Sequence, residues 1–244
     1  MNLNVIKILL LTISVNLSAQ PAAEEILKRV DENMYSESRI VESEMTIHGR
    51  RTSRTISSRT YSVGDQKSFT EYLSPRREEG TKMLKLEDQL WMYSPSTDRV
   101  IQISGHMLRQ SVMGSDLSYE DMMETQKLTE VYSAEVTGNE NIGTRDAWIL
   151  TLTAKTDDVT YYSRKIWIDS ERFIPLQEEL FAKSGQLLKR TEMKEVKNIG
   201  GRWFPATIVF TDVLKDGDGT EFKITGIEFN ADIPQHIFSR ASLR

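Results

Sequence analysis

The stretch AWILTLTA, residues 147–154, decides the fold class. Trp148, Leu150, Leu152 and Ala154 alternate with Ile149, Thr151 and Thr153, a period of two that predicts a strand with one strongly apolar face. On its C-terminal side the pattern recurs. Strands are expected over 161–169, 175–183, 186–196, 202–212 and 220–229, divided by Gly185, Gly200-Gly201 and the DGDG run 216–219. In the last of these, Phe222 and Ile224 share one phase and Ile227 and Phe229 the opposite one. A bulge at Gly226 would put all four on one face and bend the sheet.

On the N-terminal side, 81–87, 89–93 and 99–103 read as hairpin strands joined by Glu87-Asp88 and by Ser94 to Asp98. Residues 42–73 alternate too, but are rich in Ser, Thr and Arg, with Gly64-Asp65 as a turn. These strands are expected to show one face to water, with solvated arginines. Ahead of them, Pro21 and the spacing of Ala23, Ile26, Leu27, Val30 and Met34 predict an amphipathic helix over about 22–35. The strands are interrupted by HMLRQSVMGSDLSYEDMMET, 106–125, which reads as short helix, loop, short helix. Ser118 and Asp121 in it are spaced as a capping box. There is no linker or repeat. The expectation is one mainly β (α+β) domain over 20–244, a curved antiparallel sheet with two helical segments.

Residues 1–20 place Lys7 before an apolar run, Ile8 to Leu17, and end in Ser18 and Ala19. This is the layout of a secretory signal peptide, with cleavage expected after Ala19 and the product expected in the periplasm of a Gram-negative cell. Zero cysteines exclude disulfides, thiol catalysis and an acylated-cysteine anchor. With 31 Lys and Arg against 36 Asp and Glu, no basic excess exists to neutralise phosphates, so nucleic acid is not an expected partner.

The chemistry-bearing residues form no reactive constellation. His48, His106 and His236 are scattered, and no metal motif contains them. Gly114-Ser115-Asp116 is half of a nucleophile elbow without its strand and second glycine. Asp216 and Asp218 alternate like calcium ligands but lack the terminal Glu, so a glycine-rich hairpin turn is expected. The acidic pairs Glu78-Glu79, Asp157-Asp158 and Glu178-Glu179 read as solvated. No catalytic residue, metal or cofactor is expected. The positive signal is apolar: Met107, Leu108, Met113, Leu117, Met122 and Met123 are suited either to filling core gaps or to a surface that repacks around variable ligands.

Four segments, YLSPRREEGTKML (72–84), DQLWMYSPSTDRVIQIS (88–104), VMGSDLSYEDMM (112–123) and WIDSERFIPLQEELF (167–181), together resemble the periplasmic outer-membrane lipoprotein-sorting proteins of the LolA-like superfamily, in its larger branch. The resemblance implies an unclosed half-barrel whose hydrophobic concave face is covered by helices, here about 22–35 and 106–125, and takes up acyl chains. Lining residues then follow by strand phase: Leu84, Leu86, Trp91, Tyr93, Ile101, Ile103, Trp148, Leu150, Leu152, Phe204, Ile208, Phe210, Phe222 and Ile224, with Met107, Met113, Leu117 and Met122 from the cover. Gly114, Ser115, Asp116, Tyr119 and Asp121 form a lid motif, in which Asp116 is suited to capping a helix. The resemblance also implies an arginine holding the lid through backbone hydrogen bonds. The sequence assigns that part to no arginine; Arg109 is merely near, in the cover.

The function implied is a carrier of lipoprotein acyl chains or other lipid, with an inner-membrane transporter as donor and an outer-membrane acceptor. The alternative is a lipid- or lipoprotein-sensing module that binds a protein partner in the envelope. An enzyme acting on a bound lipid lacks any matched acid, base or nucleophile.

Overall fold

The computed structural model describes residues 21–49 and 51–244; the expected signal peptide, 1–19, lies outside the described residues. Helix α1 (Ala23–Met34) leads into β1 (Ser38–His48), β2 (Ser53–Val63), β3 (Lys67–Ser74), β4 (Lys82–Leu86), β5 (Gln89–Ser94) and β6 (Arg99–Ile103). Two 3₁₀ turns (105–109 and 112–114), α2 (Tyr119–Met123) and α3 (Leu128–Val131) follow. Then come β7 (Tyr132–Ile142), β8 (Arg145–Ala154), β9 (Ser163–Asp169), β10 (Pro175–Phe181), β11 (Leu187–Ile199), β12 (Arg202–Asp212) and β13 (Thr220–Phe229). Strand β7 and helix α3 are additions to the expected set. No described helix is long and apolar enough to cross a membrane.

All thirteen strands form one antiparallel sheet in the order β6-β5-β4-β3-β2-β1-β13-β12-β11-β10-β9-β8-β7. Two meanders, β1 to β6 and β7 to β13, are therefore joined only along β1 and β13, and β6 and β7 are free edges. The sheet does not close into a barrel. The chain leaves one edge at Ile103 and rejoins the other at Tyr132, so residues 104–131 must cross a face of the sheet. Curvature makes that crossing short: Glu124 bonds Arg164 in β9, while its neighbour Thr125 bonds Lys85 in β4, from the other half of the strand order.

Bulges supply bending. Glu42 pairs with Gly226 but Ser43 pairs with Ile224, leaving Thr225 as the extra residue. This shift puts Ile224, Ile227 and Phe229 opposite Ser43, Val41 and Arg39, all on the face of Met45 and Phe222, as the change of phase in β13 predicts. The β12–β13 connection is the expected glycine turn. Gly219 has φ +83°, and a Cβ there would lie 2.7 Å from the Phe210 carbonyl oxygen.

Both helical segments sit on one face, hereafter the concave face. Under α1, its buried Ile26, Leu27 and Val30 meet Leu150 and Leu152 of β8 and Ile166 and Ile168 of β9. Under the 105–125 segment, Val112 and Tyr119 meet Met45, Ile56, Tyr72, Met83, Leu90 and Ile103. The opposite face carries two further clusters, one of them under the C-terminal tail, whose Ala231, Ile233, Phe238 and Leu243 are buried against Phe69, Leu84 and Trp91.

That tail corrects part of the strand-phase assignment. Leu84, Leu86, Trp91 and Tyr93 belong to the cluster beneath it, on the convex side, and Met83, Leu90 and Met92 occupy the concave phase instead. Both faces of β4 and β5 are covered, so both phases are apolar, and alternation alone does not say which phase faces inward.

Candidate functional site

The concave face has two roofed flanks and a less covered middle. The roofs are joined through Asp31 of α1, whose carboxylate accepts the backbone N–H groups of Leu128 (2.9 Å) and Thr129 (3.0 Å) at the start of α3. Between the flanks runs a strip along β1, β13, β12 and β11. By strand register Val41, Ile224, Ile227, Ile208, Phe210 and Met193 share this strip. All six are half-buried, and none belongs to any of the four apolar clusters. Apolar side chains left in this state form a surface that can still lose area to a ligand, at about 25 cal/mol per Å².

The segment over this face is held by specific polar contacts, and the lid motif supplies most of them. Asp116 accepts from the Asp212 backbone N–H (3.1 Å) and the Thr220 hydroxyl (2.7 Å), clamping the β12–β13 end. Ser115 is buried, and its carbonyl accepts from the Lys215 ammonium at 2.9 Å. Tyr119 is buried and points its hydroxyl at the Met92 sulfur, 3.6 Å away. Asp121 completes the capping box of α2, accepting the Ser118 backbone N–H at 2.6 Å while its own N–H donates to the Ser118 hydroxyl. It also accepts from the Tyr161 hydroxyl and pairs with the Lys189 ammonium of β11.

One arginine does bond the backbone of the cover, Arg54. It lies on the concave phase of β2, opposite Ile47, and its guanidinium donates to the Met113 carbonyl. Gly114 fits this contact: it has φ +74°, and a Cβ would stand 3.2 Å from the Arg54 Nη2. Arg54 keeps its side chain 41% exposed while making this contact. Only three-dimensional pairing exposes the role, because Arg54 and Met113 are 59 residues apart.

Charge crosses the concave face beside the apolar strip. Arg164 pairs with Glu124 at 2.5 Å and faces Glu178, which accepts from the Thr191 hydroxyl at 3.3 Å. Burial raises the Glu178 carboxyl above its ordinary range, and Arg164 only partly offsets this, so Glu178 is not the solvated acid its sequence neighbourhood predicts. Burial acts on Asp121 in the same upward direction. There Lys189, the Tyr161 hydroxyl and the Ser118 N–H outweigh it and hold the carboxyl below its usual range. Lys85 is pushed down by burial.

Of the sequence-predicted lining residues, Ile103, Phe222, Met107, Met113, Leu117 and Met122 gather in the cluster under the cover. Leu150 and Leu152 are fully buried under α1, with Trp148 packed beside them at 5.2 Å from the Phe173 ring. Ile208, Phe210 and Ile224 lie in the middle strip, Phe204 meets Phe229 edge-on at 5.7 Å, and Ile101 is exposed at the β6 edge. Val41, Met193 and Ile227 were not anticipated. Ile227 alone had a signal, through the phase change at Gly226. No group of three or more His, Cys, Asp or Glu side chains capable of holding a metal ion occurs among the described residues.

No curated protein matches the sequence. Solved structures do. A DUF1329 family protein from Desulfovibrio piger superposes with a TM-score of 0.81 at 24% identity, covering 91% of this chain and 97% of its own. An outer membrane lipoprotein-sorting protein domain from Vibrio parahaemolyticus gives 0.78 at 24%, with the same coverages. A LolA superfamily protein from Nitrosomonas europaea gives 0.76 at 26%, covering 91% of this chain and all of its own. A family model described as "Uncharacterized protein" matches residues 64–244, which is well over half of the chain. The chain therefore belongs to that family, and its fold is similar to that of the LolA superfamily protein.

Proposed function

We propose that the protein is a periplasmic carrier that shields the acyl chains of lipoproteins or other lipids against its concave face and delivers them towards the outer membrane. The observation that carries this reading is the middle strip: six half-buried apolar side chains on one face, claimed by no core cluster and flanked by a latched, methionine-rich cover. Burying each methylene contributes about 0.8 kcal/mol, so several methylenes from two or three chains supply strong binding without polar contacts. Methionines adapt to cargo of varied shape. Release requires the cover to move, and Arg54, Asp116 and Asp121 are the groups that hold it. An inner-membrane donor and an outer-membrane acceptor complete the route, and no catalysis takes part.

The test is titration of the mature protein with a fluorescent fatty acid. Saturable binding is expected, weakened at least about tenfold by Ile208→Glu, which sets a charge in the strip. No binding by the wild type, or equal binding by a folded Ile208→Glu variant, contradicts the reading.

A further inference from the structure

A cleft of about 560 Å³ opens between the cover segment and the loop 157–160. Its walls combine apolar side chains, Leu108, Met123 and Val131 among them, with charges of both signs, the half-buried carboxylates of Asp65 and Glu120 included. Deep in it are two cations, Lys85 at 5% exposure and Arg164 at 9%. The exposed charges at its rim are five carboxylates, Glu87, Asp88, Glu124, Asp157 and Asp158, against the single guanidinium of Arg109.

Each deep cation keeps one donor without an acceptor. Arg164 meets Glu124, the Tyr132 hydroxyl and the Glu178 charge, yet its Nε–H is buried with no hydrogen-bond partner. Such an orphaned donor ordinarily marks a missing acceptor. Lys85 bonds two neutral oxygens, the Asp65 carbonyl at 2.6 Å and the Thr125 hydroxyl, which leaves one of its three donors unused and no carboxylate in contact. At the rim the imbalance has the other sign: Asp88 and Asp158 make no ion pair among the described residues.

We propose that this cleft binds the headgroup of a phospholipid carrying both a phosphate and an amine, with the phosphate against Arg164 and Lys85 and the ammonium at the Asp88 and Asp158 rim. A purely anionic headgroup meets the deep cations but is repelled at the rim. A purely cationic one leaves the deep donors unanswered. The adjoining Leu108, Met123 and Val131 receive the first part of the chain, so the inference rests on the carrier reading and specifies its cargo.

The experiment compares lysophosphatidylethanolamine and lysophosphatidylglycerol of one chain length, with dodecyl maltoside as an uncharged reference and glycerophosphoethanolamine as the headgroup without a chain. The wild type is expected to prefer the ethanolamine lipid about tenfold. The D88N/D158N double variant, altered only at exposed positions, is expected to bring that ratio to about one, and Arg164→Gln to weaken both phospholipids relative to dodecyl maltoside. A wild-type ratio near one, or a ratio that survives D88N/D158N, overturns the headgroup site while leaving the carrier reading standing. Failure of every amphiphile to bind overturns the carrier reading itself. Glycerophosphoethanolamine binding as tightly as the lysolipid overturns the lipid assignment in favour of a soluble ligand.

Discussion

Asp121 of α2 and Lys189 of β11 form an ion pair with side chains only 12% and 10% exposed, tying the cover to the sheet across 68 residues of sequence. Because Asp121 titrates below its ordinary range, the pair contributes its full stability above about pH 4, the unfolded aspartate value, and loses it as pH falls through the depressed folded value. Neutral conditions keep the cover latched.

Lys189→Met leaves the Asp121 carboxylate buried without its counter-charge, and is expected to cost about 3 kcal/mol at pH 7 in urea denaturation. The deficit should shrink as pH drops below about 4, where protonation neutralises the uncompensated acid. A deficit below about 1 kcal/mol at pH 7, or one that grows on acidification, contradicts the assignment.

Asp116→Ala removes the acceptor shared by the Asp212 N–H and the Thr220 hydroxyl, the latter on a fully buried residue. A loss of about 1–3 kcal/mol is expected, with increased hydrogen exchange concentrated in 111–118 and the β12–β13 end. Unchanged exchange there would show that the clamp is incidental.

Arg54→Ala is expected to loosen the cover without unfolding the sheet, because the side chain is partly exposed and its main partner is the Met113 carbonyl. Loss of about 1 kcal/mol corresponds to several-fold faster local opening of 107–114 by hydrogen exchange. Arg54→Lys should recover part of the protection. Global destabilisation with no local change would contradict a lid role.

How much of this was legible in sequence depends on what each residue touches. Strands β12 and β13 and the Thr225-Gly226 bulge were readable because Phe222, Ile224, Ile227 and Phe229 carry their own phase record. The α2 cap was readable because Ser118 and Asp121 are local partners. Leu84 and Trp91 were misplaced because the tail that buries them begins about 140 residues later. Strand β7 was missed because, as a sheet edge, it carries only a weak apolar alternation around Glu135, Asn139 and Glu140. The contact at Arg54 and the acid at Glu178 escape for a related reason: Arg54 meets the cover turn at Met113, Glu178 meets Thr191 and Arg164 on the strands flanking β10, and no local spacing encodes either.

Glu178 shows the opposite sign from Asp121. Its carboxyl titrates above the ordinary range of about 4.3, so the folded state holds the proton longer than the unfolded chain, and stability contributed by this site falls as pH rises through that window. Glu178→Gln keeps an oxygen for the Thr191 hydroxyl and removes the charge. Its Tm relative to wild type should therefore be higher at pH 8 than at pH 4.5, and the reverse order in thermal denaturation would contradict the burial account.

The most direct measurement is native mass spectrometry of the protein isolated without detergent, followed by extraction and identification of whatever it carries. The account predicts a discrete adduct of lipid or lipoprotein mass that is released on unfolding. A clean unliganded mass, together with no uptake of added lipid, would contradict it and make the methionine-rich segment a permanent part of the core.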